Sequence, residues 1–128
     1  MKTVNVKIDG QEYPLCLSTR VMVALEGRAR AGGRDLSGEL QAIMADGSVS
    51  GAFWLLAQML KAGRRAAQME DGPEPLEPPD YDELIDLVAV GEYAEIFRAL
   101  REAVEAGMAT TVQAEAPKGK NAKPTRGN

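Results

Sequence analysis

The stretch at residues 51–61, Gly-Ala-Phe-Trp-Leu-Leu-Ala-Gln-Met-Leu-Lys, limits what this chain can fold into more than any other. Between Ala52 and Leu60 only Gln58 is polar. A helix formed there is apolar on nearly every side, so other elements have to enclose it. At about half the ~20 apolar residues needed to cross a bilayer, it reads as a core helix. The sequence predicts this helix over residues 50–69, with Ser50 as N-cap and with Lys61, Arg64 and Arg65 toward the end where the dipole favours cations. A chain of 128 residues suits one domain with one core. Aromatics are only 5% of it against 45% apolar residues overall, so that core has to come from Leu, Val, Ile, Met and Ala, which favours helices.

Residues 3–17 predict a β-hairpin. Val4, Val6 and Ile8 alternate with Thr3, Asn5 and Lys7, the period of a half-buried strand. Asp9-Gly10 is a preferred pair for a two-residue type I′ turn. Folding there pairs Ile8 with Gln11, Lys7 with Glu12, Val6 with Tyr13, Asn5 with Pro14 and Val4 with Leu15. Val4, Val6, Ile8, Tyr13 and Leu15 then share one face, and Lys7 opposes Glu12 on the other. In that register the missing N–H of Pro14 costs nothing within the ribbon, and the proline blocks the outer edge against further pairing.

Helical spacing organises the rest. Ser18 or Thr19 caps a helix to about Ala31, lined by Val21, Ala24, Leu25 and Arg28, and Gly32-Gly33 ends it. Asp35 or Ser37 opens a short helix with Leu36, Leu40, Ile43 and Met44 apolar, ended by Asp46-Gly47-Ser48. After the central helix, residues 70–79 hold four prolines and a glycine and form an extended acidic connector. Asp80 then caps a fourth helix, with Glu83 completing a capping box. That helix carries Tyr81, Leu84, Ile85 and Val88, and Gly91 allows a break after it. A fifth helix shows the stripe Tyr93, Ile96, Phe97, Leu100, Val104 and Met108. The expected architecture is α+β and mostly α: an N-terminal hairpin packed on a bundle of about five helices. Residues 1–112 form the domain, with helices to about Met108, and residues 113–128 a disordered basic tail.

Little in the chain points to bond-making chemistry. It has no His and one cysteine, Cys16, which excludes a His-based triad, a Cys–His pair and a disulfide within the chain. Gly32-Gly33-Arg34-Asp35 lacks the Gly-Lys-Ser/Thr that a phosphate loop requires, and reads as a helix terminator. Asp80, Asp82, Glu83 and Asp86 lack EF-hand spacing and its central glycine. No catalytic, cofactor-binding or metal-binding residue is expected, and the chain is not read as an enzyme. No signal peptide is visible, so a cytoplasmic protein without a membrane partner is expected.

Charge separates body from tail. Lys118, Lys120, Lys123 and Arg126 face a single acid, Glu115, over residues 113–128, leaving that segment near +3 and residues 1–112 near −7 from the total of −4. An acidic body argues against specific nucleic-acid binding, since phosphate contacts need clustered cations. The stripe on the fifth helix is core by default. Its alternative is a partner-binding face made of Tyr93, Ile96, Phe97 and Leu100 with Arg98 and Arg101 beside it.

Several segments together carry a family resemblance. They are residues 4–15, Val-Asn-Val-Lys-Ile-Asp-Gly-Gln-Glu-Tyr-Pro-Leu; residues 21–27, Val-Met-Val-Ala-Leu-Glu-Gly; residues 52–57, Ala-Phe-Trp-Leu-Leu-Ala; and residues 81–86, Tyr-Asp-Glu-Leu-Ile-Asp. In order and spacing, over residues 3–108, the chain resembles the small tail assembly chaperones of long-tailed phages and prophages. The resemblance implies a non-enzymatic protein of the bacterial host cytoplasm. Such a protein coats the tape measure protein, a long helical rod, and keeps it soluble until tail tube subunits assemble around it. It implies self-association too, the tail tube protein as a further partner, and no cofactor. Family members often have a longer form made by ribosomal frameshifting, for which Ala116-Pro117-Lys118 is the matching place. Two rival readings stand beside it: another tail or connector protein retained in the virion, and a small-ligand-binding or enzymatic module with a deep polar pocket.

Overall fold

A computed structural model describes residues 2–115, and the side chains of residues 2–109. Strands β1 (Val4–Ile8) and β2 (Gln11–Leu15) form an antiparallel two-stranded sheet. The register is the expected one in every pair, from Val4 opposite Leu15 to Ile8 opposite Gln11. At the turn Asp9 has φ 52° and Gly10 φ 80°, the consecutive left-handed residues of a type I′ turn. Val6, Ile8 and Leu15 are buried, Val4 and Tyr13 half-buried, while Lys7 and Glu12 face outward. Alternation in the sequence thus becomes one wet and one dry face.

Among the described residues five α-helices follow: α1 (Thr19–Ala31), α2 (Leu36–Met44), α3 (Val49–Gln68), α4 (Tyr81–Leu87) and α5 (Tyr93–Glu115), with a 3-10 turn, Val90–Glu92, before the last. Ser18 caps α1 by accepting from Val21 N–H. Gly33, at φ 75°, ends it, and Arg34 N–H donates to Ala29 C=O at 2.8 Å, which closes the last turn as a Schellman motif. Asp35 caps α2. At α4 the capping box is complete: Glu83 N–H donates to Asp80, and Asp80 N–H donates to the Glu83 carboxylate, each at 2.9 Å.

Helix α3 is enclosed as its composition requires, with Ala52, Phe53, Leu55, Leu56, Met59 and Leu60 all in the core. Its N-cap is Ser48, which accepts from Gly51 N–H at 3.1 Å, and the expected cap Ser50 lies inside the first turn. Gly47, at φ 72°, turns the chain so sharply after α2 that α3 starts two residues early. Gly51 then passes close beneath Ile43, where a Cβ would stand 2.8 Å from its side chain.

The outer edge of β2 is covered by α3 itself. Cys16 N–H donates to Met59 C=O at 3.2 Å, and the Pro14 carbonyl lies directly against Gly63. Pro14 keeps other strands off that edge, but the helix is what closes it. On the other strand α5 packs along β1, burying Ile96, Ala99, Leu100 and Ala103. Helix α5 continues past Met108 to Glu115, so residues 113–115 of the expected tail belong to it. Residues 116–128 lie outside the described residues. Among the described residues no single helix is long and apolar enough to cross a membrane, and α2 and α3, which together have the length and composition, are bent by 109°.

Candidate interaction surfaces

The six partner-binding residues expected on α5 do not form one open face. Ile96 is 2% exposed and Leu100 0%, both sealed in the core. Tyr93 sits at the margin with its ring edge-on to Phe53, centroids 5.5 Å apart, and Phe97 is half-buried beside it. Arg98 lies along the helix between Glu95 and Glu102, bonded to both carboxylates. The hydrogen bond from Arg98 holds the Glu95 carboxyl below its ordinary value, and the same bonds hold the Arg98 guanidinium charged. Arg101 is exposed. A partner reaching Ile96 or Leu100 would have to lift α5 off the hairpin.

Open apolar surface is found just upstream instead. Ile85 is 49% exposed, Leu87 44% and Val90 75%, all within the α4 and 3-10 segment. The cause is geometric. A seven-residue helix turns one side inward, and Leu84 and Val88, one turn apart, occupy that side. Ile85 and Leu87 are left to solvent, together with Val90 on the turn. Single exposed apolar side chains are ordinary, but three fall within six residues here, with Ile85 and Leu87 on the two flanks of the buried Leu84–Val88 side. Sequence reasoning placed Ile85 on the inner stripe and passed over Leu87 and Val90. The shortness of α4 was the available signal.

Two clefts flank the connector where it crosses the molecule at Glu77-Pro78-Pro79. One, of about 480 Å³, lies between the connector and the hairpin tip, lined by Ile8, Asp9, Gln11, Tyr13, Glu77, Pro78, Pro79, Glu83 and Leu87. No Lys or Arg lines it, and Asp9 and Glu77 have no ion-pair partner among the described residues. The other, of about 280 Å³, sets Lys61, Arg64 and Arg65 of α3 opposite Glu77, Asp80 and Glu83. There Glu74 accepts from Arg64 at 3.2 Å and from Gln68 at 3.1 Å, tying the connector down.

The sequence reading also missed a buried carboxylate. Glu39 is 3% exposed and accepts from Arg28 Nε at 2.9 Å and from an Arg34 terminal nitrogen at 3.0 Å, one oxygen to each. Arg28 also stacks 5.0 Å from the centre of the Trp54 ring. Every partner is a protein group, so the cluster fastens α1, α2 and α3 together. The acidic cluster at α4 is likewise committed, because Asp80 and Glu83 cap the helix. Among the described residues no three His, Cys, Asp or Glu side chains group as metal ligands. Burial raises the Cys16 thiol pKa, leaving little thiolate at neutral pH. Compared with protein families, with curated proteins and with solved structures, the chain matches none.

Proposed function

We propose that this chain is a phage tail assembly chaperone that binds and solubilises the tape measure protein. The observation that carries this reading is the exposed group Ile85, Leu87 and Val90, set among Asp82, Asp86 and Glu92. Exposed apolar side chains interspersed with carboxylates suit a partner that presents apolar stripes along a helix, and the negative charge keeps the covered complex in solution. Weak contacts repeated along a rod gain by avidity and release one at a time as tube subunits arrive. The resemblance over residues 3–108 supports the same reading. On this reading the protein works in the host cytoplasm without cofactor, membrane or specific nucleic acid.

The test is co-expression with the tape measure protein that this reading expects a neighbouring gene to encode. The reading expects that protein to move from the pellet to the soluble fraction and to co-purify with this chain. A tape measure protein that stays insoluble at equal expression would overturn it. Mass spectrometry of mature virions separates the rival structural role, because a chaperone is absent from the finished particle.

A further inference from the structure

The cleft at the hairpin tip and the C-terminal end of α5 lie at opposite ends of the molecule. Leu87, a few residues before α5, lines the cleft beside Ile8 and Asp9. By Gly107, α5 has reached Leu17, which lies beyond the end of the hairpin remote from its tip. The helix therefore runs away from the cleft and carries the chain about 34 Å from Tyr93 to Glu115. Beyond it, residues 116–128 hold Lys118, Lys120, Lys123 and Arg126 and no acid.

We propose that the basic segment 116–128 of one copy docks in the cleft between the hairpin tip and the Glu77-Pro78-Pro79 connector of the next, joining copies head to tail. The cleft offers Asp9 and Glu77 as carboxylates without cation partners among the described residues, above a floor of Ile8, Tyr13 and Pro79. An extended Lys-rich segment matches it, with lysine stems on the apolar floor and ammonium groups at the carboxylates. Reach decides between the same copy and another. Fully extended, Lys123 gets about 26–29 Å beyond Glu115, short of the return along α5, and only Arg126 at about 36–40 Å could arrive. In a neighbouring copy no such tether limits which of the four cations reach Asp9 and Glu77. A cleft at one end and its ligand at the other make a heterologous contact, which extends into open chains or closes as a ring. This inference stands on charge and geometry and holds whatever partner the chain covers.

Sedimentation velocity on the full chain tests it. The weight-average mass should rise with protein concentration at low salt, and affinity should fall by about tenfold or more between about 0.05 M and 0.5 M ionic strength. Two full-length variants each remove one half of the contact. One carries Lys118→Gln, Lys120→Gln, Lys123→Gln and Arg126→Gln. The other carries Asp9→Asn and Glu77→Gln, in which Asn-Gly keeps the type I′ turn. Each alone should stay monomeric, and an equal mixture should form dimers and stop there, because only one intact cleft and one intact segment remain. A wild-type chain that is monomeric throughout, association unchanged in either variant, or a mixture no larger than its parts would each overturn the proposal.

Discussion

Replacing Gly63 with alanine should unfold the protein more easily, although the same change at an ordinary helix position stabilises. An ideal Cβ on Gly63 stands 1.9 Å from the Pro14 carbonyl oxygen, 2.5 Å from its carbon and 3.1 Å from Leu15 N. Non-bonded carbon and oxygen rest about 3.3–3.6 Å apart, so β2 has to retreat by more than an ångström. That retreat pulls Cys16 N–H off Met59 C=O and opens space beside Leu15, Cys16 and Met59, each at most 1% exposed. Overpacking costs about 1–3 kcal/mol and an orphaned buried amide about 1–3 kcal/mol. Helix propensity returns about 1 kcal/mol. The net is destabilisation of about 3 kcal/mol, or a fall of about 10–15 °C in Tm for a domain of this size. Urea unfolding followed by circular dichroism reads it. The control is Gly27→Ala in α1, where no atom lies within 4 Å of the new Cβ, so about 0.5–1 kcal/mol should be gained. If Gly63→Ala is as stable as the parent, α3 does not close the edge of β2 as described.

Three further perturbations probe other parts of the account. Glu39→Ala leaves the Arg28 and Arg34 guanidinia without their shared acceptor, and because both are partly exposed the loss should be about 1–3 kcal/mol by urea unfolding; Glu95→Ala, on the exposed face of α5, should move the urea midpoint far less. Cys16 is 1% exposed and should react with a thiol reagent only as fast as the fold opens, and Gly63→Ala should speed the labelling in the native state. The folded pKa of Glu95 is depressed, so its contribution is present above the unfolded carboxylate value and is lost as pH falls through the folded one. Carbon-13 NMR titration should place its midpoint below that of an unfolded glutamate, and Arg98→Ala should raise it; an unchanged midpoint would remove the ion pair as the cause.

How far the sequence announces the fold depends on whether a feature is local. The hairpin register was legible residue by residue, because period-2 alternation and Asp9-Gly10 leave one pairing that keeps the apolar face together. The Asp80–Glu83 box was legible for the same reason, each partner lying within one turn. Choosing Ser48 over Ser50 needed the left-handed Gly47 and the Ile43 contact above Gly51, neither of which is a local pattern. Gly63 carried a faint signal, a glycine inside a helix, yet its reason is the Pro14 backbone far away in sequence. Glu39 was not legible because its burial depends on Arg28 of α1 and Arg34 of the α1–α2 turn both reaching it. Helix α5 outlasts its apolar stripe since periodicity reports burial, and a helix can continue past the last buried turn. The expected interaction face failed to open for a related reason: Ile96 and Leu100 are the inner side of α5.

The most direct test of the claim that this protein works by covering another is the soluble yield of the tape measure protein when co-expressed with the Ile85→Asp, Val90→Asp double variant. Both side chains are exposed in the monomer, so the variant should fold with an unchanged melting curve. The account predicts that this folded variant leaves the tape measure protein in the pellet while the parent chain keeps it soluble. Equal rescue by parent and variant would contradict it.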